Sequence, residues 1–446
     1  MLRVTARWLG IRGPPGENRE QHDDARDEGG YDSPEVAHRG MLSRAERRHK
    51  PRAASSVTHS VASRTRLLLA FLFAARPHPI TANLCDDRAM KRIVVASMFL
   101  GCVAAQDAAT KQSQGQQVLQ WCAELGDAKR CESAAHALWR AGSSVAPVLL
   151  REVQKSSAGS PMALRLLAAF GRDAASVSEP LERIYSTGAH RENVAIGLTL
   201  AAIGSRDSVT VASFSGYIVE LDPDGKELRR VTQGGVWGLA PLPGDRLLVT
   251  EIATHTVREI DWQGVVHWTA TVPQSPLDAL RLSDGTTVVA CWHGPCVVWL
   301  DAAGKETRRV DGLHAVDIEP LWSGNLLICD HEGNRLVELD PTGDIVWQFR
   351  CPGKPMDADI LPNGNLLVSI NGPNRIVEYE RAGDTLRVVH TKQSTVQPED
   401  VYRLRDGRMF LTHSSGASLY DSDGKQIWRA ATSHSSQAIV RLPSAH

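Results

Sequence analysis

"NRLVELDPTGDIVW", Asn334 to Trp347, is restated about forty residues later as "NRIVEYERAGDTLR", Asn374 to Arg387. Each copy alternates apolar and polar residues, turns at a Gly and resumes, which is the pattern of an antiparallel hairpin. Aligning the chain on that turn glycine gives Gly225, Gly264, Gly304, Gly343, Gly383 and Gly424, at intervals of 39, 40, 39, 40 and 41 residues. An earlier turn keeps the same rhythm at Gly244, Gly285, Gly324, Gly364 and Gly407. Short runs such as "NLLVSI", "RIVEYE", "LLICD" and "RLVELD" lie between the turns, so each unit of about forty residues holds four short strands. One such unit cannot bury both of its faces. Radial repetition solves this, and the spacing predicts a β-propeller of six blades over residues 205–446.

The ends of the array fit a ring. "QAIVRLP", Gln437 to Pro443, matches the opening strand of a unit ("DALRLSDG", "DADILPNG"), while the first unit, from Asp207, lacks that strand. The C-terminal strand is therefore expected to complete the first blade, leaving no open seam. Four residues after each turn glycine stand Arg229, Trp268, Arg308, Trp347, Arg387 and Trp428 in strict alternation. This reads as growth from a two-blade unit of about eighty residues, with Arg beside Trp on neighbouring outer strands as an expected cation–π arrangement.

Ahead of the propeller the period changes. From Gln116 to Gly204 apolar residues recur three and four apart, and "SAAHALWRAG", "MALRLLAAFG" and "AIGLTLAAIG" all end on glycine, at Gly142, Gly171 and Gly204. With the second helices "VAPVLLREV" and "SEPLERIY", these segments resemble HEAT repeats, which implies a short α-solenoid over 106–204. Such solenoids serve as interaction surfaces or as caps on a neighbour. Cys122 and Cys131 flank the first turn and are candidates for a disulfide in an exported protein.

Residues 1–89 are Arg-rich with a single Lys, and their one apolar run, "LLLAFLFAA", is too short to span a bilayer. They are expected to be disordered, or a non-native upstream extension. "MKRIVVASMFLGCVAAQDAA" from Met90 has a basic start, an apolar stretch and the small-residue site Val103-Ala104-Ala105, predicting a signal peptide at 90–105 and a mature start near Gln106. A buried helix and a lipid anchor at Cys102 are the alternatives. The net charge of −1 leaves the whole chain without an electrostatic footprint for nucleic acid.

"DIEPLWSGNLLICDHEGNRLVELDPTGDIVWQF", Asp317 to Phe349, resembles blades of the PQQ-like, NHL and arylsulfotransferase groups of bacterial propellers. The resemblance covers Asp207 to His446 and implies the fold. Among these groups, arylsulfotransferases use a His on the channel face; here His314, in "LHAVDIE", and His331 are the nearest candidates for a nucleophile, without the surrounding family line.

Seven residues before the earlier turn glycine stand Asp278, Asp317, Asp357 and Asp400, with Gly238 and Gln437 near the equivalent place in the other blades; two residues on stand Leu280, Glu319, Asp359 and Tyr402. The channel is therefore expected to be acidic. Oxygen ligands from Asp317, Asp357 and Asp400 would suit Ca²⁺ or a cationic ligand; alternatively each Asp braces the backbone of its own or the next blade. Loops at the same end carry His255, Trp292, His293, Asp330, His331, Glu332 and His413. Cys291 and Cys296 in "CWHGPC" flank a hairpin loop and are a second disulfide candidate; Cys329 and Cys351 are a third pair. No Walker loop, G-x-S-x-G or H-E-x-x-H is present. The whole reads as an exported binding protein that takes a protein partner or a small ligand. An arylsulfotransferase- or lactonase-type enzyme and a pure scaffold are the rival classes.

Overall fold

Six four-stranded antiparallel sheets surround one axis in the computed structural model, which describes residues 112–432 and 434–444. The expectations for residues 1–89, for the signal at 90–105 and for Cys102 lie outside the described residues. All described residues belong to one unit, Asp87–His446. The inner strands of the six blades, in ring order, are Ser435–Arg441, Val236–Leu242, Pro276–Arg281, Ala315–Pro320, Lys354–Ile360 and Pro398–Arg403. In the first blade the last strand of the chain pairs antiparallel with the first, Ser208–Ser213, through Val209 opposite Val440 and Thr210 opposite Ile439.

The repeated hairpin has local causes. Asn334 and Asn374, which open the two quoted copies, have positive φ (51° and 50°), a conformation Asn tolerates because its short side chain bonds locally. At the outer turns, Asp222, Asp261, Asp301, Asp340 and Asp421 each accept two backbone N–H groups at 2.8–3.1 Å, an Asx turn that sets up the positive-φ glycine after it. The Glu of the "VE" pair then reaches the next blade: Glu338 accepts from Arg381, and Glu378 from Arg403 at 2.5 Å.

The alternating Arg and Trp residues do not stack on one another across neighbouring outer strands. Arg229 lies over Trp262 of the next blade's outer turn, 4.0 Å from the ring centroid, and Arg308 over Trp299 of its own blade, at 5.3 Å. The Trp268 and Trp347 indole N–H groups donate to Ala302 O (3.0 Å) and Asp384 O (2.9 Å). Blades diverge radially, so an outer-strand side chain meets the next blade's turn rather than its outer strand.

Six helices precede the propeller among the described residues: α1 (112–124), α2 (Cys131–Ala141), α3 (Ala146–Gln154), α4 (Ser160–Phe170), α5 (Ser178–Thr187) and α6 (Asn193–Ile203). Helices α2, α4 and α6 stop at Gly142, Gly171 and Gly204, all at positive φ. Leu138, Leu149, Leu164, Leu167, Leu181 and Ile196 form their buried core, and Trp322 of the propeller enters it, edge-on to Trp139 at 5.1 Å. No helix among the described residues is long and apolar enough to cross a membrane.

Candidate functional site

Every inner strand carries a register irregularity near its mouth, for example between Ala315 and Asp317 or between Pro355 and Asp357. The extra residue lets the Asp that follows leave the ladder and turn sideways. Its carboxylate then accepts a backbone N–H of the next blade's inner strand. Asp278 takes Ile318 N (3.1 Å), Asp317 takes Ala358 N (3.2 Å), Asp357 takes Val401 N (3.0 Å) and Asp400 takes Ala438 N (2.8 Å). Gln437 continues the series by accepting from Leu239 N (2.7 Å), and its amide donates to Asp278 Oδ1 at 3.0 Å. The belt thereby closes across the one blade that lacks a side chain there. That blade has Gly238, where a Cβ would meet Leu277 O at 2.5 Å and Thr250 Oγ1 at 2.7 Å.

A second row of hydroxyls works beside the first. Thr250, Ser369 and Thr412 donate to Leu277 O (3.1 Å), Glu399 O (2.8 Å) and Ser436 O (2.9 Å) of the following blades. In the fourth blade Cys329 holds the corresponding place, with its thiol 3.7 Å from Asp317 Oδ2.

The structure therefore brings Asp278, Asp317, Asp357, Asp400, Glu319 and Asp359 into one channel. Burial is the main force on all six. It raises Asp278 above the usual carboxylate range, and it raises Asp317, Asp357 and Asp359 well above it, with neighbouring carboxylates adding to the shift in those three. It pushes Asp400 up to about 7 and Glu319 up to about 8, the Arg165 charge acting against the second shift. Among the described residues no group of three or more His, Cys, Asp or Glu side chains is arranged to hold a metal ion.

Side chains narrow the mouth of the channel, and the helices contact the ring at the other end. At the mouth, Trp237, Val316, Met356, Glu399 and Ser436 crowd in above Asp357, Asp400 and Gln437, leaving about 10 Å³, room for about one water molecule. At the far end the helices press on the ring. Arg165 of α4 donates to Pro320 O (3.1 Å) and Leu321 O (2.6 Å), Arg405 to Trp139 O (2.8 Å), and Arg441 to Ala201 O (2.7 Å).

The histidines lie at the loop end, and none lines the pocket at the channel mouth. There the backbone after each second strand is tied to the start of an inner strand, as in Phe214 N to His434 O, Trp292 N to Ser275 O and His331 N to His314 O (3.0, 3.1 and 3.0 Å). This gathers His293, His314 and His331 around Trp292. The ring of Trp292 is 4.3 Å from that of His293 and 5.8 Å from that of His331. His314 Nδ1 is 3.1 Å from Trp292 O, and His331 Nδ1 is 3.1 Å from Glu332 Oε1, whose carboxylate also accepts from Lys354 at 2.8 Å. Burial lowers both His293 and His331 below the usual imidazole value, with the Glu332 carboxylate acting against it. His413 stands apart in the sixth blade, buried, bonded to Ser418 (3.0 Å) and pushed down to about 4 by burial. His255 holds Ser275 N at 3.0 Å. Asp330 fixes the loop by accepting His314 N (3.0 Å) and Arg335 Nε (2.7 Å).

The six described cysteines are free thiols. Cys291 and Cys296 stand directly opposite each other on paired strands. Cys122 is buried in the helical core, while the Cys131 thiol turns to Ala128 O at 3.9 Å. Cys329 and Cys351 are both buried in the fourth blade region.

Sequence reasoning missed Trp237 at the mouth, the Arg165 and Arg405 contacts, and the pair Glu399 and His434, whose nearest atoms are 3.5 Å apart. Glu399 directly precedes Asp400, one step from the repeating acid, so its place at the mouth could have been read from that register.

Fold and site together define a six-bladed propeller flanked by helices, a braced acidic channel narrowed at its mouth, and a loop face rich in His and Trp. Residues 297–445, the last third of the chain, match the PQQ_2 family model, described as outer membrane protein assembly factor BamB. No curated protein matches. Among solved structures, the chain is similar to a protein of unknown function from Bacteroides caccae, at 18% identity and a TM-score of 0.43, over 50% of this chain and 93% of that one. It is also similar to BamB from Moraxella catarrhalis, at 16% identity and a TM-score of 0.35 over 52% and 85%. Virginiamycin B lyase from Staphylococcus aureus, a catalytically inactive variant with quinupristin, gives 16% identity and a TM-score of 0.40 over 51% and 86%.

Proposed function

We propose that the chain is an exported binding protein whose propeller offers its loop end to a partner while the helices contact the other end. One observation carries this reading. The channel carboxylates that could have served a metal or a reaction are spent on bracing neighbouring blades, and the pocket at the channel mouth has room for about one water molecule. A propeller enzyme acting inside the channel needs an open, convergent set of groups there. His314 and His331, the candidate nucleophiles, do not line that pocket and are engaged with Trp292 O and Glu332. Side chains at Trp292, His293, Glu332 and Lys354 combine an aromatic anchor with part-exposed charge, the composition of a protein-binding surface.

The same proposal takes residues 90–105 as a signal peptide, 1–89 as an upstream extension and the helices of 106–204 as HEAT-like. The match to a family described by outer membrane assembly supports export. In an oxidising compartment the opposed Cys291 and Cys296 close to a disulfide. N-terminal sequencing and thiol titration of the exported protein check both points; a mature product that begins at residue 1 would refute export through this signal.

The binding face is tested by placing a photo-cross-linking residue at His331 and, as a control, at Val388 on the exposed outer strand of the fifth blade. Discrete adducts from position 331 and none from 388 are expected. Adducts only from the rim would overturn the assignment of the loop end.

A further inference from the structure

The mouth of the channel holds polar groups that bracing leaves unused. Glu399 is 4% exposed, and its Oε1 lies 3.5 Å from His434 Nε2, too far for a good hydrogen bond. Its Oε2 is buried without a partner, and so is His434 Nε2. Asn371 is 5% exposed and leaves both its amide oxygen and its amide nitrogen unpartnered. The two residues come from neighbouring blades. Ser369 donates to Glu399 O at 2.8 Å, and Asn371 is the next residue on the same face of that strand, one step nearer the loops. Unpaired buried groups of this kind cost free energy unless something fills the site.

The surroundings say what would. Glu399, Asp357 and Asp400 border the same pocket and no basic side chain does, so a hydrogen-bond donor is favoured there over an anion. Trp237 forms one wall, its ring 5.4 Å from His434 and 6.0 Å from Phe214, and presents an aromatic surface that favours a cation. The space, about 10 Å³, takes a group of about one water's size and excludes a guanidinium or trimethylammonium head. The described acids do not converge as metal ligands. A primary ammonium has three donors and no acceptor, which suits the unpartnered Glu399 Oε2. Met356 is part-exposed and unbranched, the wall best able to shift around an alkyl stem.

We propose that this pocket binds the primary ammonium group of a ligand, a lysine side chain or a free amine, with Glu399 as counter-ion. The proposal rests on the reading of the loop end as the binding face and gives that face its chemistry.

The test is calorimetric titration of the full chain with n-butylammonium chloride, and with n-butanol and tetramethylammonium chloride as controls. Saturable binding of n-butylammonium alone is expected. Glu399→Gln, close to isosteric, should weaken it at least roughly tenfold, as loss of a charge-assisted hydrogen bond does. Val388→Ala, on the exposed outer strand of the fifth blade and away from the pocket, should leave it unchanged. Nα-acetyl-lysine amide then separates the sources: affinity above that of butylammonium points to a lysine of a partner, and lower affinity to a free amine. The proposal falls if n-butylammonium does not bind saturably, if butanol binds as well, or if Glu399→Gln binds like the parent. Cross-links from position 331 without amine binding would remove the pocket and leave the face standing.

Discussion

Gly238 is the one inner-strand position of the belt without a side chain, and the ring depends on that. A methyl group there would press on Leu277 O at 2.5 Å and Thr250 Oγ1 at 2.7 Å, both fixed by their own blades. Gly238→Ala is therefore expected to destabilise the fold by about 1–3 kcal/mol, the usual cost of overpacking, read as a lower urea midpoint with unchanged slope. A second residue-scale effect concerns charge. The folded pKa of Glu319, at about 8, and of Asp400, at about 7, lie above the values these carboxyls have in an unfolded chain. The folded state thus holds protons that the unfolded chain releases, so this contribution to stability is full below about pH 4 and is lost as pH rises through 7 to 8. The melting temperature should fall between pH 5 and pH 8, and Glu319→Gln should flatten the slope; an unchanged slope would mean that Glu319 is ionised in the fold. The four acids were legible because they recur at one place in the repeat. What they do was not, because the acceptor of each lies about forty residues away in the next blade, and sequence alone left bracing and cation binding both open. Glu399, Asn371 and Arg165 occur once each, and a residue that does not repeat gives no register from which to place it.

Hairpins were the most legible elements. Alternation, an Asx-forming Asp and a positive-φ glycine all act within a few residues, and local causes leave local signatures. The outer-strand Arg and Trp show the limit of that reading. Their alternation was plain, but their partners depend on how far blades splay, which no single blade encodes. Chain closure is the element with most at stake. Strand Ser435–Arg441 gives Ser208–Ser213 its inner neighbour, carries Gln437 into the belt and sends Arg441 to Ala201 O at 2.7 Å. Removing residues 435–446 strips the first blade of its inner strand and exposes an unpaired edge. The expected result is a melting temperature lower by roughly 10 °C, the scale of several kcal/mol for a domain of this size, with aggregation on heating. A truncated chain that melts like the parent would show that the ring tolerates an open first blade.

For the whole molecule, the question is whether helices and propeller behave as one body. Apolar contact alone is modest, centred on Trp322 against Trp139, and Leu198 of α6 beside the core of the second and third blades. Around it, three guanidinium groups bind backbone carbonyls across the boundary: Arg165 on Pro320 and Leu321, Arg405 on Trp139, and Arg441 on Ala201. Asp173 adds a bond from Ser444 N at 2.9 Å, and Arg172 pairs with Asp207 at 2.8 Å where the chain passes from one part to the other. Each charged hydrogen bond is worth about 1.5–3 kcal/mol, so the three arginines together rival the stability of a small helical domain. The two parts should then open together in the parent and separately without the arginines. Hydrogen exchange followed by mass spectrometry reads this segment by segment. In the parent, peptides from α2 to α6 should exchange as slowly as those from the inner strands. In a variant carrying Arg165→Ala, Arg405→Ala and Arg441→Ala, the helical peptides should exchange at least roughly tenfold faster, while strands of the third and fourth blades keep their protection. If helix and strand peptides accelerate equally, the helices are part of the propeller's own folding unit and cannot be loosened without unfolding the ring.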